Sequence, residues 1–427
     1  MVATLFIALI ILMFVGVPIA ASIGFAALAS MIAGGETSTL FTLAQKMVTA
    51  LDSTSLLAIP LFVLAGAIMG KGGISKRIID LSYEIFGWLP GSLGVVTVVA
   101  CMFFAALSGS SPATVAAIGG IMVPAMIEDG YPAGFSAAIA ASGGIIGCII
   151  PPSIPFVNYG LITGTSVGDL FAAGIVPGIL MGIALCILVS VKASRNHWGS
   201  RTKGINFKKL WNAFTKAILA LLMPLIILGG IYGGFFTPTE AAGVACVYGM
   251  IVALFIYRTI SFSDLYEIAF DAALTSAMIM FIVATANGFS HIVTTQQVPA
   301  MLASAVLGLT ANKHVVLLLI NIILLINGCF MEETATTFIY TPILFPLVVQ
   351  MGIDPVHFGV IMVMNMTMGL ITPPLGINLF VAAGLDTRVR FSDILKYILP
   401  PFLVLVVVLM LVTYVPDLAL GVVRLLH

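Results

Sequence analysis

The feature that most restricts how this chain can fold is a polar knot, Ser108-Gly109-Ser110-Ser111-Pro112-Ala113-Thr114, set between two charge-free apolar runs at 93–107 and 115–126. If the chain reverses direction here, the loop lies at membrane depth. Unpaired backbone groups are costly in hydrocarbon, so such a loop must be buried in protein or line a watery cavity. Gly109 and Pro112 interrupt the helix, and the hydroxyls together with the freed carbonyls describe an ion or solute site.

Composition supports the membrane premise. Of 427 residues, 61% are hydrophobic and 8% charged, and the mean hydropathy is +1.20. That is the profile of an all-α polytopic protein in a lipid bilayer, with no soluble domain of useful size. Lys plus Arg and Asp plus Glu both number 17, so net charge argues for no nucleic-acid partner. Met1-Val2-Ala3-Thr4 carries no basic residue and no clear cleavage site, which predicts a retained first helix. The cysteines (Cys101, Cys148, Cys186, Cys246, Cys329) lie in apolar segments without CxxC spacing and read as packing residues.

A crossing needs about 20 apolar residues, fewer where the helix is part-buried. In the first half, crossings are expected at about 2–16, 18–34 and 56–70, with an interfacial stretch from Ser38 to Ser53. Lys71, Lys76, Arg77 and Asp80 mark a second interfacial segment before a hairpin at about 86–127. A crossing at about 133–165 is broken at Pro151-Pro152-Ser153-Ile154-Pro155, and another covers about 170–191. Lys192, Arg195, Arg201, Lys203, Lys208 and Lys209 then form the densest basic loop, which is placed in the cytoplasm.

The same order recurs. Crossings are expected at about 213–235 and 239–257, an interfacial stretch near Ser261 to Ile268, a crossing at about 273–290 and a polar link from Thr294 to Gln297. A hairpin at about 308–348 has Glu332 and Glu333 at its break. A crossing at about 356–384 is broken at Thr372-Pro373-Pro374, and a last one covers about 394–415. Pro124 and Pro346 lie 222 residues apart, as do Pro152 and Pro374, Gly147 and Gly369, and Thr114 and Thr336. The halves are internal repeats: residues 1–195, a basic linker at 196–212, and residues 213–427. With five crossings and one re-entrant hairpin each, about ten crossings in all, the repeats are inverted. Paired broken segments in inverted repeats point to a secondary transporter's midplane site.

Each constellation has a functional and a structural reading. Ser108, Ser110, Ser111 and Thr114 suit Na⁺, and small hydroxyl residues also cross-link membrane helices. Glu332 is a functional candidate as an ionisable group within an apolar segment, whereas both glutamates would be unremarkable if the hairpin tip reached water. Carbonyls abandoned ahead of Pro152 and Pro374 would complete a cation shell, and a half-helix after each break would aim its positive end at an anion. Asn158 and Asn378 suit a hydroxylated or carboxylated solute or a helix cross-link. Thr237-Pro238-Thr239-Glu240 reads as a capping box. Asn287 and His291 are spaced to pair on one helix face, and His357 is expected at the interface. HExxH, GxSxG and phosphate-cradling motifs are absent, so no catalytic site is expected and the coupling energy must come from a gradient.

Ser108 through Gly119, with Thr237-Pro238-Thr239-Glu240-Ala241-Ala242 and Gly369-Leu370-Ile371-Thr372-Pro373-Pro374-Leu375-Gly376, resembles the large membrane subunit of tripartite ATP-independent periplasmic (TRAP) transporters over essentially the whole chain. The resemblance implies a small four-helix membrane subunit and a periplasmic substrate-binding protein as partners, in the bacterial inner membrane. It implies Na⁺-driven import of an organic acid, a C4-dicarboxylate or sialic acid, on an elevator fold similar to divalent-anion/sodium symporters. Carried over by position, Ser108, Ser110, Ser111, Gly147 and Pro152 would hold one Na⁺. Gly328, Glu332, Thr336, Thr367, Gly369 and Thr372 would hold another, and Ser111, Thr114, Asn158, Glu332 and Asn378 would contact solute. At the two hairpin tips, Ser110-Ser111-Pro112 and Glu332-Glu333-Thr334 depart from the Ser-Asn-Thr of those symporters. The first repeat begins at residue 1, so the small subunit is expected as a separate polypeptide. The alternatives are a self-sufficient Na⁺/dicarboxylate symporter and a channel.

Overall fold

The structure, a computed structural model, describes residues 1–35, 39–201, 204–310, 312–374 and 376–427; Ser38, Lys203 and Leu375 lie outside the described residues. Every regular element among the described residues is helical. The first half runs α1 (Val2–Phe14), α2 (Ile19–Ala33), α3 (Leu40–Thr49), α4 (Ala58–Lys71), α5 (Ile74–Phe86), α6 (Ser92–Ser108), α7 (Ser111–Thr114), α8 (Gly120–Glu128), α9 (Ala133–Gly144), α10 (Ile154–Thr163) and α11 (Val167–Asn196). The second runs α12 (Phe207–Tyr232), α13 (Pro238–Ile251), α14 (Phe262–Thr295), α15 (Val298–Leu309), α16 (Lys313–Gly328), α17 (Glu333–Gln350), α18 (Pro355–Gly369), α19 (Ile377–Ala383), α20 (Phe391–Tyr414) and α21 (Asp417–Leu426).

Seven helices among the described residues are long and apolar enough to cross a membrane, α11, α12, α14 and α20 among them. Large apolar side chains such as Phe14, Leu225, Phe281 and Val407 stay exposed on the outer surface, as a hydrocarbon solvent allows. The capping box at Thr237 and Glu240 is formed and opens α13. Ser111 and Glu333 open the returning arms of the two hairpins, and Ala133 and Pro355 open the two broken helices. Each pair is 222 residues apart.

Packing is exchanged between the halves. Helix α4 lies on α13 while α2 lies on α14, and α9 lies on α20 while α11 lies on α18. The half-helix α10 packs on α17 of the second hairpin, and α19 reaches α7 at the tip of the first. Each half-helix therefore completes the surroundings of the other half's hairpin.

Three elements differ from the sequence expectation. The interfacial stretch near Ser261 and the crossing at 273–290 form one helix, α14, of 34 residues, about 51 Å at 1.5 Å per residue. Its counterpart in the first half is split into α3 and α4. There Asp52-Ser53-Thr54-Ser55 offers side-chain alternatives to helical hydrogen bonds, where α14 has Leu274-Thr275-Ser276-Ala277. Thr275 and Ser276 hydroxyls instead bond back to Asp271 O and Ala272 O. Helices α15 and α21 carry no clear sequence signal. Helix α21 is amphipathic and packs along α11, bringing His427 Nε2 to 3.0 Å from Asp169 Oδ1.

Candidate functional site

The tip of the first hairpin is a knot of oxygens. Gly109 turns the chain at φ +59°, a conformation that suits glycine; a Cβ there would also stand 2.9 Å from Pro152 O. Ser108 Oγ and Thr114 Oγ1 are 2.9 Å apart, and Thr114 Oγ1 donates to Ser110 O at 2.8 Å. The knot rests on Gly147, where a Cβ would come within 2.6 Å of Thr114 Oγ1 and 3.0 Å of Ser110 O. Ile154 N donates to Gly109 O at 3.4 Å, tying the tip to the break in the first broken helix. Ser108, Ser110, Thr114, Gly147 and Pro152 are thus brought together. The peptide bond between the paired prolines is cis at both breaks.

At the second hairpin, Gly328 and Gly369 meet backbone to backbone, since a Cβ on Gly328 would lie 2.7 Å from Gly369 Cα. Thr336 Oγ1 donates to Glu332 O at 3.0 Å and accepts from Asn327 Nδ2 at 3.0 Å. Glu332 is turned onto its own helix. Its Oε2 accepts from Thr334 N and Ala335 N, and its Oε1 from Thr334 Oγ1, which makes it the N-cap of α17. The Thr367 hydroxyl donates to Met364 O within α18, and that of Thr372, just past the end of α18, donates back to Met368 O.

The two halves meet through the first residues of the returning arms. Ser111 Oγ lies apart from the Ser108 knot and accepts from Asn378 Nδ2 at 2.6 Å, across from the second half. Asn378 Nδ2 also reaches Ala141 O at 3.2 Å. In the equivalent place, Glu333 is buried and its Oε1 accepts from Cys148 Sγ at 3.4 Å, across from the first half. Asn158 is fully buried on α10 with neither amide atom bonded. The half-helix α10 does not offer free donors at its start: Ile154 N is held by Gly109 O, Phe156 N by Ser153 Oγ, and Pro155 has none.

Two adjoining cavities share Ser53 and Leu161. One, of about 400 Å³, is lined by Asn287, Ser290, Thr294 and Thr341. The other, of about 750 Å³, is lined by Thr54, Ser55, Thr165, Ser166, Thr239 and Glu240 together with apolar residues such as Leu57, Val157 and Val167. Helix α11 separates Val167, on the wall of the larger cavity, from the basic linker by 30 residues, about 45 Å. Both cavities therefore lie at the end of the molecule opposite that linker.

Some sequence readings need correction. Cys148 is more than a packing residue, because its thiol donates to Glu333 Oε1 at 3.4 Å, across from the second half. No bond joins Asn287 to His291 among the described residues, and Asn287 lines a cavity instead. His357 is buried, with Nε2 2.9 Å from Val412 O. Sequence reasoning also missed the chain Asn365 to Asn321 to Thr413, closed at 2.6 and 3.1 Å. The 222-residue offset pairs Glu333 with Ser111 and is the signal that singles it out.

The family described as "Tripartite ATP-independent periplasmic transporter, DctM component" matches residues 6–418. The C4-dicarboxylate TRAP transporter large permease protein DctM of Pseudomonas aeruginosa is 44% identical over 89% of this chain and 88% of its own. The sialic acid TRAP transporter large permease protein SiaM of Vibrio cholerae is 36% identical over 96% and 95%. The isethionate TRAP transporter permease protein DctMQ of Oleidesulfovibrio alaskensis is 47% identical over 94% of this chain, which spans 63% of that relative's length. The crystal structure of the Alcanivorax borkumensis YdaH transporter shares the fold, with a TM-score of 0.61 at 16% identity over 90% of both chains. An oxygen-lined pair of hairpins in a multi-pass inner-membrane protein is transport machinery and not an enzyme, and the chain belongs to the DctM component of the tripartite ATP-independent periplasmic transporters.

Proposed function

We propose that this chain is the translocating subunit of a Na⁺-coupled secondary transporter that imports an organic acid. Its partners are a small four-helix membrane subunit and a periplasmic binding protein that hands over the solute. The observation that carries this reading is the knot of Ser108 Oγ, Thr114 Oγ1 and Ser110 O against Gly147. These are hard oxygen donors without fixed charge at a helix break, the donor set that unwound segments present to Na⁺. The relatives' names speak of isethionate, C4-dicarboxylates and sialic acid, all acids. The cleft of about 750 Å³, whose wall carries Thr54, Ser55, Thr165 and Glu240 among apolar residues, is the entrance by which such an acid would reach the hairpins.

With the basic linker in the cytoplasm, that cleft opens toward the periplasm, where a binding protein docks. Na⁺ orders the hairpin tips, and the hairpin-bearing helices move against α1–α5 and α12–α15 as an elevator. The movement draws on the different affinities of the two states for ion and solute. The test is solute uptake into proteoliposomes holding this chain and the small subunit, with and without binding protein and an inward Na⁺ gradient. Uptake that needs all of them is expected. Uptake by this chain alone, or without Na⁺, would overturn the reading.

A further inference from the structure

We propose that Asn287 and Ser290 of α14, with Ser53 beside them, hold the acid group of the solute in the cavity of about 400 Å³, so that the helices against which the hairpins move also select the cargo; this rests on the reading of the chain as the solute-translocating subunit. One wall of the cavity is formed by α14 and the break between α3 and α4, the other by α10 and α17. Asn287, Ser290 and Thr294 follow the i, i+3, i+7 spacing of one helix face, and all three line the cavity. Thr341 on the facing wall stands eight residues beyond Glu333, about 12 Å at 1.5 Å per residue. The cavity is therefore displaced from the hairpin tip toward the end opposite the basic linker, where it joins the wider cleft at Ser53 and Leu161.

These side chains are not spent on the fold. Thr275, Ser276, Thr285, Thr294 and Thr295 of the same helix bond back to carbonyls a turn behind. Among the described residues the Asn287 amide, the Ser290 hydroxyl and the Ser53 hydroxyl have no hydrogen-bond partner, although polar side chains within a membrane bundle ordinarily cross-link it. The repeat supplies an independent comparison. Helices α3 and α14 begin at Leu40 and Phe262, 222 residues apart, which sets Ala65 and Ile68 against Asn287 and Ser290. Ala65 and Ile68 are fully buried in the core. The shared architecture asks for apolar packing on this face, and the second half instead lines a cavity with donors.

The donors fit an acid. Asn287 Nδ2 presents two N–H groups, and the Ser290 and Ser53 hydroxyls add one each. Carboxylate and sulfonate oxygens accept from such groups in charge-assisted bonds. No charged side chain lines the cavity among the described residues, so no fixed charge of its wall repels an anion. The opposite wall offers Phe338, Phe345 and Leu161 to the carbon body of the solute. Because the two walls belong to groups that move against each other, the acid is held in one state and let go in the other.

The test titrates malate, isethionate and sialic acid, each at fixed Na⁺, against the thermal unfolding midpoint of the purified complex of this chain with its small subunit in nanodiscs. For an acid that stabilises the wild type, Asn287→Ala is expected to raise the half-saturating concentration about tenfold, and Ser290→Ala should raise it as well. Asn287→Asp keeps the size and sets a carboxylate against the acid, so it should weaken binding more than Asn287→Ala does. The Ser290→Cys protein should react with the anionic thiol reagent 2-sulfonatoethyl methanethiosulfonate above the baseline of the unsubstituted protein, and the stabilising acid should slow that labelling. Half-saturation unchanged in Asn287→Ala would overturn the proposal. So would tighter binding in Asn287→Asp, which would mark a cation in the cavity. If Asn287→Ala does not assemble, the labelling decides, and a rate that the acid leaves unchanged overturns the proposal. No stabilisation of the wild type by any of the three acids, with or without Na⁺, would sink the transport reading together with this one, whereas stabilisation that the variants leave unchanged sinks this one alone.

Discussion

At the scale of single residues, two positions separate a cation role from a scaffolding one. Gly147 leaves room for the Ser108 knot, and a methyl there would press within 2.6 Å of Thr114 Oγ1. Overpacking of this kind costs about 1–3 kcal/mol, so Gly147→Ala is expected to raise the Na⁺ concentration for half-maximal uptake by at least about fivefold. A Na⁺ titration of uptake checks it, and an unchanged midpoint would remove the knot from the ion site. Glu332 instead caps α17 through Thr334 N and Ala335 N. Glu332→Ala should therefore lower stability by about 0.5–2 kcal/mol, read as a fall in the thermal unfolding midpoint without solute. The carboxylate that chemistry would single out from the sequence as an ion ligand is, in the folded chain, closing its own helix.

At the scale of elements, the paired hairpins and broken helices were legible because glycine, proline and hydroxyl residues punctuate long apolar runs. The 222-residue offset turned that punctuation into a repeat. The fusion that makes α14 was not legible, since Ser261 to Ile268 is polar enough to suggest an interfacial piece, and only Leu274 and Thr275 mark the place where its counterpart breaks. The oxygen knot was legible on the first hairpin, where Ser108, Ser110 and Thr114 lie within seven residues. The contact where two halves meet was not legible, because Cys148 and Glu333 lie 185 residues apart in the chain. The break between α3 and α4 gives a further expectation. Replacing Asp52 and Ser53 by Leu and Thr, as in α14, should join the two helices. Slower amide hydrogen exchange over residues 50–55 would register the new helix, and slower uptake would show that the articulation matters.

At the scale of the whole molecule, the hairpin-bearing helices and the α1–α5, α12–α15 group meet backbone against backbone where Gly66 of α4 faces the first hairpin. A Cβ on Gly66 would lie 3.0 Å from Ser108 Cα and 3.1 Å from Ser108 O. If one group slides along the other, this contact must be passed. Gly66→Val is expected to abolish uptake while solute still raises the unfolding midpoint of the purified complex. Loss of both together would mean that the valine deforms the site itself.

The basic linker between the halves is fastened to the open end of the first hairpin. Trp198 packs tilted against Tyr131 and Phe135 and edge-on to Tyr397. Ser200 N donates to Asp129 Oδ2 at 2.9 Å, and Ser92 Oγ donates to Ser200 O at 2.8 Å. A protease cutting at 204–206 would leave this strap whole on the first half, and the nicked molecule should stay assembled. A cut before Trp198 would transfer the strap to the second half and leave the hairpin base to be held only from the far side of the nick. The joint between two copies of one architecture has become the latch of the first.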